Sequence, residues 1–267
     1  MFSITVRAIP LSLQSMLPRE QAPEVRAPSL SLGWPAVDAI LPDGGLPRGV
    51  VEVASHRALG GPTRLAARAI AAAHAKDARG FSAWIDPEAT LHAPGLARVG
   101  VDLARLFVVR PSRTEVGRIA VKVARAGAFD VIVVDMADMS RACEAWPPPY
   151  PLPRGAAPSS ERARRPLPPE VVVRKLALAA EEGEATVILL TDSAEARSAQ
   201  WPVALRPDVE RRPDAMGIRI AKDQRGRGNM TRTWVSMAAL TPGLASTSPP
   251  AAHVHPAPSS AVRIVSA

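Results

Sequence analysis

The sequence predicts an α/β fold: a mainly parallel central sheet flanked by helices, with a β-hairpin towards the C-terminal end. Three observations carry this expectation. Apolar β-type runs alternate with helical stretches of about 10 to 14 residues from Leu30 to Met237, the rhythm of successive βαβ units. Asp130-Val131-Ile132-Val133-Val134-Asp135 and Thr186 to Thr191 are continuous apolar runs, as strands buried on both faces are. Gly217 to Ala221 and Thr231 to Ser236 flank the turn-forming stretch Asp223 to Asn229, which reads as a hairpin.

The elements follow in order. Val50 to Val53 is a short strand, and the Ala-rich stretch Thr63 to Ala75 is a helix. Phe81 to Ile85 and Leu106 to Val109 are further strands, the second followed by a helix from Thr114 to Arg125. The buried strand ending at Asp135 comes next, then a helix from Val171 to Glu182 and the strand Thr186 to Thr191. Two segments break the rhythm. Residues 145–169 are Pro-rich and basic, and Pro242 to Ser260 is rich in Pro, Ser and Ala. The expected organisation is an N-terminal arm (1–28), a core (29–240) containing the 145–169 loop, and a disordered tail (241–267).

Composition narrows the class. With 47% apolar residues the chain can bury a sizeable core, and only 4% aromatics makes that core aliphatic. The formal charge of +8 favours polyanionic partners. Cys143 is the only cysteine, which excludes an internal disulfide and any multi-cysteine zinc site. No apolar run reaches the roughly 20 residues needed to span a bilayer, and residues 1–16 make a poor secretory signal. The expected location is the cytoplasm, beside the nucleoid.

A phosphate loop, G-x-x-x-x-G-K-[ST], belongs where the first strand turns into its helix. This chain has His56-Arg57-Ala58-Leu59-Gly60-Gly61-Pro62-Thr63 there. Gly61 and Thr63 occupy the second glycine and the hydroxyl positions, while His56 and Pro62 replace the first glycine and the lysine. Proline brings no charge to a phosphate and removes one N–H from the cradle, although it suits the first turn of a helix. Asp135, ending a buried strand, is placed as a magnesium-assisting carboxylate or as a cap for the following loop, and Glu88 as a water-activating base or as a helix N-terminal acid favoured by the dipole. The vestigial site is therefore Gly60, Gly61, Thr63, Glu88 and Asp135. ATP and magnesium are not expected to be held, and no catalytic residue is assigned.

The segments SLSLGWPAVDAILPDGGLPRGVVEV, WIDPEATL, VGVDLARLFVVRP and ARAGAFDVIVVDMADM resemble, in order and spacing, the core of the RecA recombinases. The resemblance covers about Leu30 to Ser236 and implies a RecA-like core. It puts Thr63, Glu88 and Asp135 on the magnesium-site threonine, the catalytic glutamate and the Walker B aspartate, and Pro62 on the catalytic lysine. Asp192 falls on the nucleotide-sensing glutamine. Lys222 matches one of two lysines acting across protomers, and Gln224 replaces the other. A core with a broken loop is also similar to the ImuA family, RecA-like proteins of bacterial DNA-damage (SOS) mutagenesis cassettes, of which the division inhibitor SulA is a shorter relative. That similarity implies an accessory role in translesion synthesis beside an ImuB-like inactive Y-family polymerase and RecA, with an error-prone replicative-type polymerase reached indirectly. The alternatives it leaves are a divergent recombinase-type ATPase and a SulA-like inhibitor.

Surfaces for such partners, or for single-stranded DNA, are marked by basic residues. Arg162, Arg164 and Arg165, with Arg174 and Lys175, form one group; Lys222, Arg225 and Arg227, with Arg232, form another. Phe2 to Val6 alternates as an edge-adding strand would, and Val262 to Val265 reads as a short linear motif on a tether. Trp146 and Trp201 are candidate anchors, with packing against the domain as the competing role.

Overall fold

The computed structural model describes residues 29–55, 61–136, 166–192, 201–240 and 263–266. The elements are β1 (Ser29–Leu30), α1 (Pro35–Asp38), β2 (Leu46–Pro47), β3 (Gly49–Ser55), α2 (Gly61–Lys76), β4 (Ser82–Ile85), α3 (Ala93–Val99), β5 (Leu106–Arg110) and α4 (Val116–Arg125). They continue with β6 (Val131–Asp135), α5 (Pro169–Glu182), β7 (Thr186–Asp192), β8 (Leu205–Arg211), β9 (Ala215–Asp223), β10 (Asn229–Ser236) and β11 (Arg263–Ser266). One sheet runs β10-β9-β8-β3-β7-β6-β4-β5-β11, and β1 with β2 makes a separate ribbon. Within the large sheet every pairing from β8 across to β11 is parallel and β8–β9 and β9–β10 are antiparallel, as is the β1–β2 ribbon. The expected fold class and the β9–β10 hairpin are both present.

Strand alternation sorts the core into two layers. Val51 and Val53 of β3, with Val133 and Ile188 on neighbouring strands, pack under α2 together with Leu65 and Ile70. Val50, Ile132, Val134 and Leu189 face the other way, against Val121, Leu176 and Ala180 of α4 and α5. The central strands are buried on both faces, which is why they read as unbroken apolar runs. Ala66, Ala67, Ala69, Ala71 and Ala73 of α2 are all buried, so the helix packs through small side chains. Trp201 is buried in the second layer, so packing is the role the structure gives it.

Three of the elements that were not legible in advance bear on the sheet and the site. Strand β8 carries Arg206, Pro207 and Asp208, an unpromising central-strand sequence. It holds its place through charge: Arg219 pairs with Asp208, and Arg206 lies 3.8 Å from the buried Glu52 of β3. Glu52 also accepts a 3.0 Å hydrogen bond from Thr191 of β7, so a polar ladder runs across the sheet from β7 to β9. Helix α3 begins at His92, whose Nδ1 accepts from Gly95 N–H, and ends at Gly100 with φ +97°, where the left-handed cap favours glycine. The third is β11. It lies inside the segment expected to be disordered, yet its backbone pairs in parallel with β5, from Arg263 opposite Phe107 to Ser266 opposite Arg110. The physical reason is an edge: β5 would otherwise present an unpaired row of N–H and C=O groups. The arm 1–28, with the strand expected near Phe2 to Val6, and Trp146 lie outside the described residues.

Candidate functional site

The parallel register gathers the chemistry at one edge of the sheet. Ser55, the last residue of β3, sits opposite Asp192 of β7, and Asp135 of β6 sits opposite Leu190. Ile85 of β4 pairs with Val134 and leads directly to Asp86 and Glu88. The carboxyl ends of four neighbouring strands thus converge where ligands bind in open parallel sheets. Helix α2 starts beside them. Gly60 lies outside the described residues, with the rest of the 56–60 loop.

Gly61 and Pro62 open α2, and the proline suits this first turn because its missing N–H has no helical partner. The glycine has a packing reason to be there. A Cβ on Gly61 would lie 2.9 Å from Cγ1 of Val209 on β8, closer than real contacts allow. Thr63, the hydroxyl position, is exposed. In place of the lysine, two guanidinium-bearing residues stand near the helix start: Arg64 on α2 and Arg211 at the end of β8. Burial, with a smaller contribution from Arg211, holds Arg64 below the ordinary arginine pKa.

Glu88 is engaged. Arg113 donates to it through both Nε and Nη2, each at 2.6 Å, a bidentate pair on the surface. The loop that carries Glu88 is shaped by Asp86, which is buried and accepts from the backbone N–H of Thr90 and Leu91 at 3.0 and 3.1 Å. Arg110 stands 3.7 Å from the same carboxylate. Between them Ala89 is left-handed, φ +54°, a conformation that costs a non-glycine residue about 1 kcal/mol and is imposed by these bonds. Sequence reasoning missed both Asp86 and Arg113. An Asp four residues before a Thr was a readable sign of the turn; Arg113 sits 25 positions from its partner and gave none. Asp135 and Asp192 are half-buried at the strand ends.

The basic residues divide into two kinds. Arg174 and Lys175 are exposed on the outer face of α5. Arg162, Arg164 and Arg165 lie outside the described residues. Arg225 and Arg227 are instead tied to acidic neighbours: Arg227 holds Asp223 at 2.7 Å and Asp43 at 2.7 Å, and Arg225 lies 3.6 Å from Asp43. Lys222 donates to the carbonyl of Trp201. Arg232 pairs with Glu210. Each of these side chains thus has a partner within the chain, and Arg225 and Arg227 join the β9–β10 turn to Asp43 ahead of β2.

Beside Thr63 opens a cavity of about 520 Å³ that sequence reasoning did not find. Its walls include Trp34, Leu91, Leu96 and Leu240, with Arg64 and Arg68 entering from α2. The readable signal was an Arg-x-x-x-Arg pair on an otherwise Ala-rich helix, which puts two charges on one face.

Comparison with known proteins agrees with this geometry. The RecA N-terminal domain model matches residues 12–143. The chain is RecA-like. It is 40% identical over 116 residues to the protein RecA of Acidothermus cellulolyticus, covering 42% of this chain and 33% of that protein. It is 39% identical over 118 residues to that of Corynebacterium diphtheriae (43% and 30%), and 37% over 126 residues to that of Rhodospirillum centenum (46% and 34%). The chain thus spans about a third of the length of the curated relatives it matches. The matched stretch takes in the β1–β2 ribbon and β3 to β6 of the central sheet; β7 to β11 lie beyond it. None of the described helices is long and apolar enough to cross a membrane.

Proposed function

We propose that this chain is a non-catalytic RecA-like accessory factor of the ImuA type, acting in DNA-damage-induced mutagenesis by binding other proteins. The observation that carries the reading is Pro62 at the start of α2, where a phosphate loop needs its lysine. Two further features support it. Glu88, the residue placed for water activation, is held by Arg113, and Gly61 has a packing role that needs no ligand. The partners are an ImuB-like inactive polymerase and RecA, with the error-prone polymerase reached indirectly. Arg174 and Lys175 are exposed and follow the basic 145–169 stretch in sequence, and they make single-stranded DNA a further partner.

One observation favours a second reading, a divergent ATPase. Arg64 and Arg211 bring positive charge to the same corner of the sheet, where a substitute for the lysine would have to act.

The experiment is a pull-down of the purified chain with ImuB, RecA filament and single-stranded DNA, with and without ATP and magnesium. Nucleotide-independent capture of ImuB or RecA supports the adaptor. Capture that requires ATP, or hydrolysis abolished by Asp135→Ala, overturns it in favour of the ATPase.

A further inference from the structure

The cavity beside Thr63 combines an apolar interior with two arginines that have no carboxylate partner among the described residues. Trp34, Leu96 and Leu240 are buried around it. Arg64 and Arg68, one helical turn apart, both lie over the Trp34 indole, with guanidinium carbons 5.8 and 5.9 Å from the ring centre. Their hydrogen bonds go to neutral backbone oxygens. Arg64 Nη2 donates to Leu240 O at 3.0 Å, while Arg68 donates to Leu32 O and, at 3.5 Å, to Val99 O. Among the described residues, no carboxylate pairs with either arginine. Arg64 Nε is buried there without a hydrogen-bond partner among the described residues.

The backbone is arranged around these two groups. Gly33 has φ +64°, and a Cβ on it would stand 2.5 Å from Arg68 Nη2, so the glycine makes room for the guanidinium. Two cations held side by side against an indole cost free energy through repulsion and lost hydration. An anion entering the cavity would offset that cost, and the apolar walls would take an attached hydrophobic group.

We propose that this cavity is a docking site for an acidic, hydrophobic peptide segment of a partner protein, one large apolar side chain entering between Trp34, Leu96 and Leu240 while a neighbouring carboxylate meets Arg64 and Arg68. The choice of a peptide rests on the adaptor reading above. Charge complementarity fixes its character: the rim adds a third arginine, Arg98, and among the described residues no acidic one lines the cavity. At about 520 Å³ the space is within the range of specific ligand pockets and holds one aromatic or leucine side chain with its backbone.

The test is selection from a displayed library of random 12-residue peptides against the purified chain, with affinities of selected peptides read by fluorescence polarisation. The expected result is a consensus pairing Asp or Glu with Leu, Phe or Trp, bound at least about tenfold more weakly by Arg64→Met and by Arg68→Met. Both variants keep an apolar stem over Trp34. Arg98→Gln, at the exposed rim, is a second variant that leaves the buried contacts alone, and it should weaken binding by a smaller factor. No enrichment, a neutral or basic consensus, binding indifferent to all three changes, or displacement of the peptides by ATP with magnesium would each overturn the proposal. The adaptor reading fails separately. If the Arg64→Met/Arg68→Met double variant still captures ImuB or RecA as the parent does, the adaptor stands and the cavity does not. If the parent captures neither, the adaptor falls.

Discussion

Glu88 and Arg113 face each other across 25 residues of chain and meet through two parallel hydrogen bonds of 2.6 Å. The pair ties the loop after β4 to the segment after β5, and on the adaptor reading it occupies the carboxylate expected to serve as a base. An exposed pair of this kind contributes about 1 kcal/mol or less to stability. Arg113→Ala is therefore expected to shift thermal unfolding only slightly. It is also expected to leave ATP turnover at the background rate, because freeing the carboxylate does not replace the lysine. A coupled phosphate-release assay checks this. Turnover that rises in Arg113→Ala would mean the site is restrained rather than lost.

Gly61 makes a second claim testable. If it is retained for the contact of α2 with β8, Gly61→Ala must push against Val209, which is buried. The expected loss is about 1–3 kcal/mol in urea unfolding, the range for overpacking a filled site. The paired change Gly61→Ala/Val209→Ala should recover part of it. A neutral Gly61→Ala would remove the packing explanation.

The polar ladder across β7, β3 and β8 predicts a larger effect. Glu52 is buried on a central strand, and Arg206 stands 3.8 Å away. Replacing a buried pair's cation takes from Glu52 its charged neighbour and leaves it the hydrogen bond from Thr191, so Arg206→Met should cost on the order of 3 kcal/mol. The double change Arg206→Met/Glu52→Leu should be milder than Arg206→Met alone, read from the urea midpoints of the two variants. Equal losses would show that Glu52 does not depend on Arg206.

These residues also mark what the sequence can reveal. The parallel core was legible because Val131 to Asp135 and Thr186 to Asp192 are buried on both faces, and their composition says so without reference to partners. Asp135 could be placed at a strand end on the same ground, and Pro62 at a helix start. Strand β8 was hidden because its stability comes from charges on other strands, Glu52 and Arg219, and no local pattern records those. Arg225 and Arg227 looked like free surface charge for a related reason: Asp43 lies more than 180 positions away and meets them only once β9 has folded back. The cavity was hidden because it lies between α2, α3 and Leu240, segments distant in sequence, although its two arginines were in plain view.

His74 gives a pH dependence with a definite sign. It is buried at the end of α2, its Nδ1 accepts from Asp102 N–H at 3.3 Å, and Nε2 is buried without a hydrogen-bond partner among the described residues. Burial first, and then Arg105, lower its pKa, partly opposed by Asp102. A lowered folded pKa means the unfolded chain takes up the proton first. Stability is then full above the unfolded value of about 6.5 and is lost as pH falls through it towards the folded value. Melting temperatures from pH 8 to 5 should fall more steeply for the parent than for His74→Leu, with the curves separating only below about pH 6.5. Parallel curves would show that His74 is not the group responsible.

The last expectation concerns the edge of the sheet. Strand β5 is covered by β11, whose backbone pairs with it from Phe107 to Arg110. Beside that edge Phe81, Phe107 and Phe129 form a row of edge-to-face rings with centres 5.7 and 5.6 Å apart, and Phe81 is 41% exposed. Removing residues 263–267 would leave an unpaired strand next to exposed aromatic surface, a combination that promotes edge-to-edge association. The truncated chain is expected to show a larger, concentration-dependent mass by light scattering than the full chain at the same concentration. Ile264→Pro, which removes one backbone donor from β11 without shortening the chain, should move the mass in the same direction. An unchanged mass in both would mean that β11 contributes nothing to protecting the edge, and that β5 is kept from self-pairing by its own side chains.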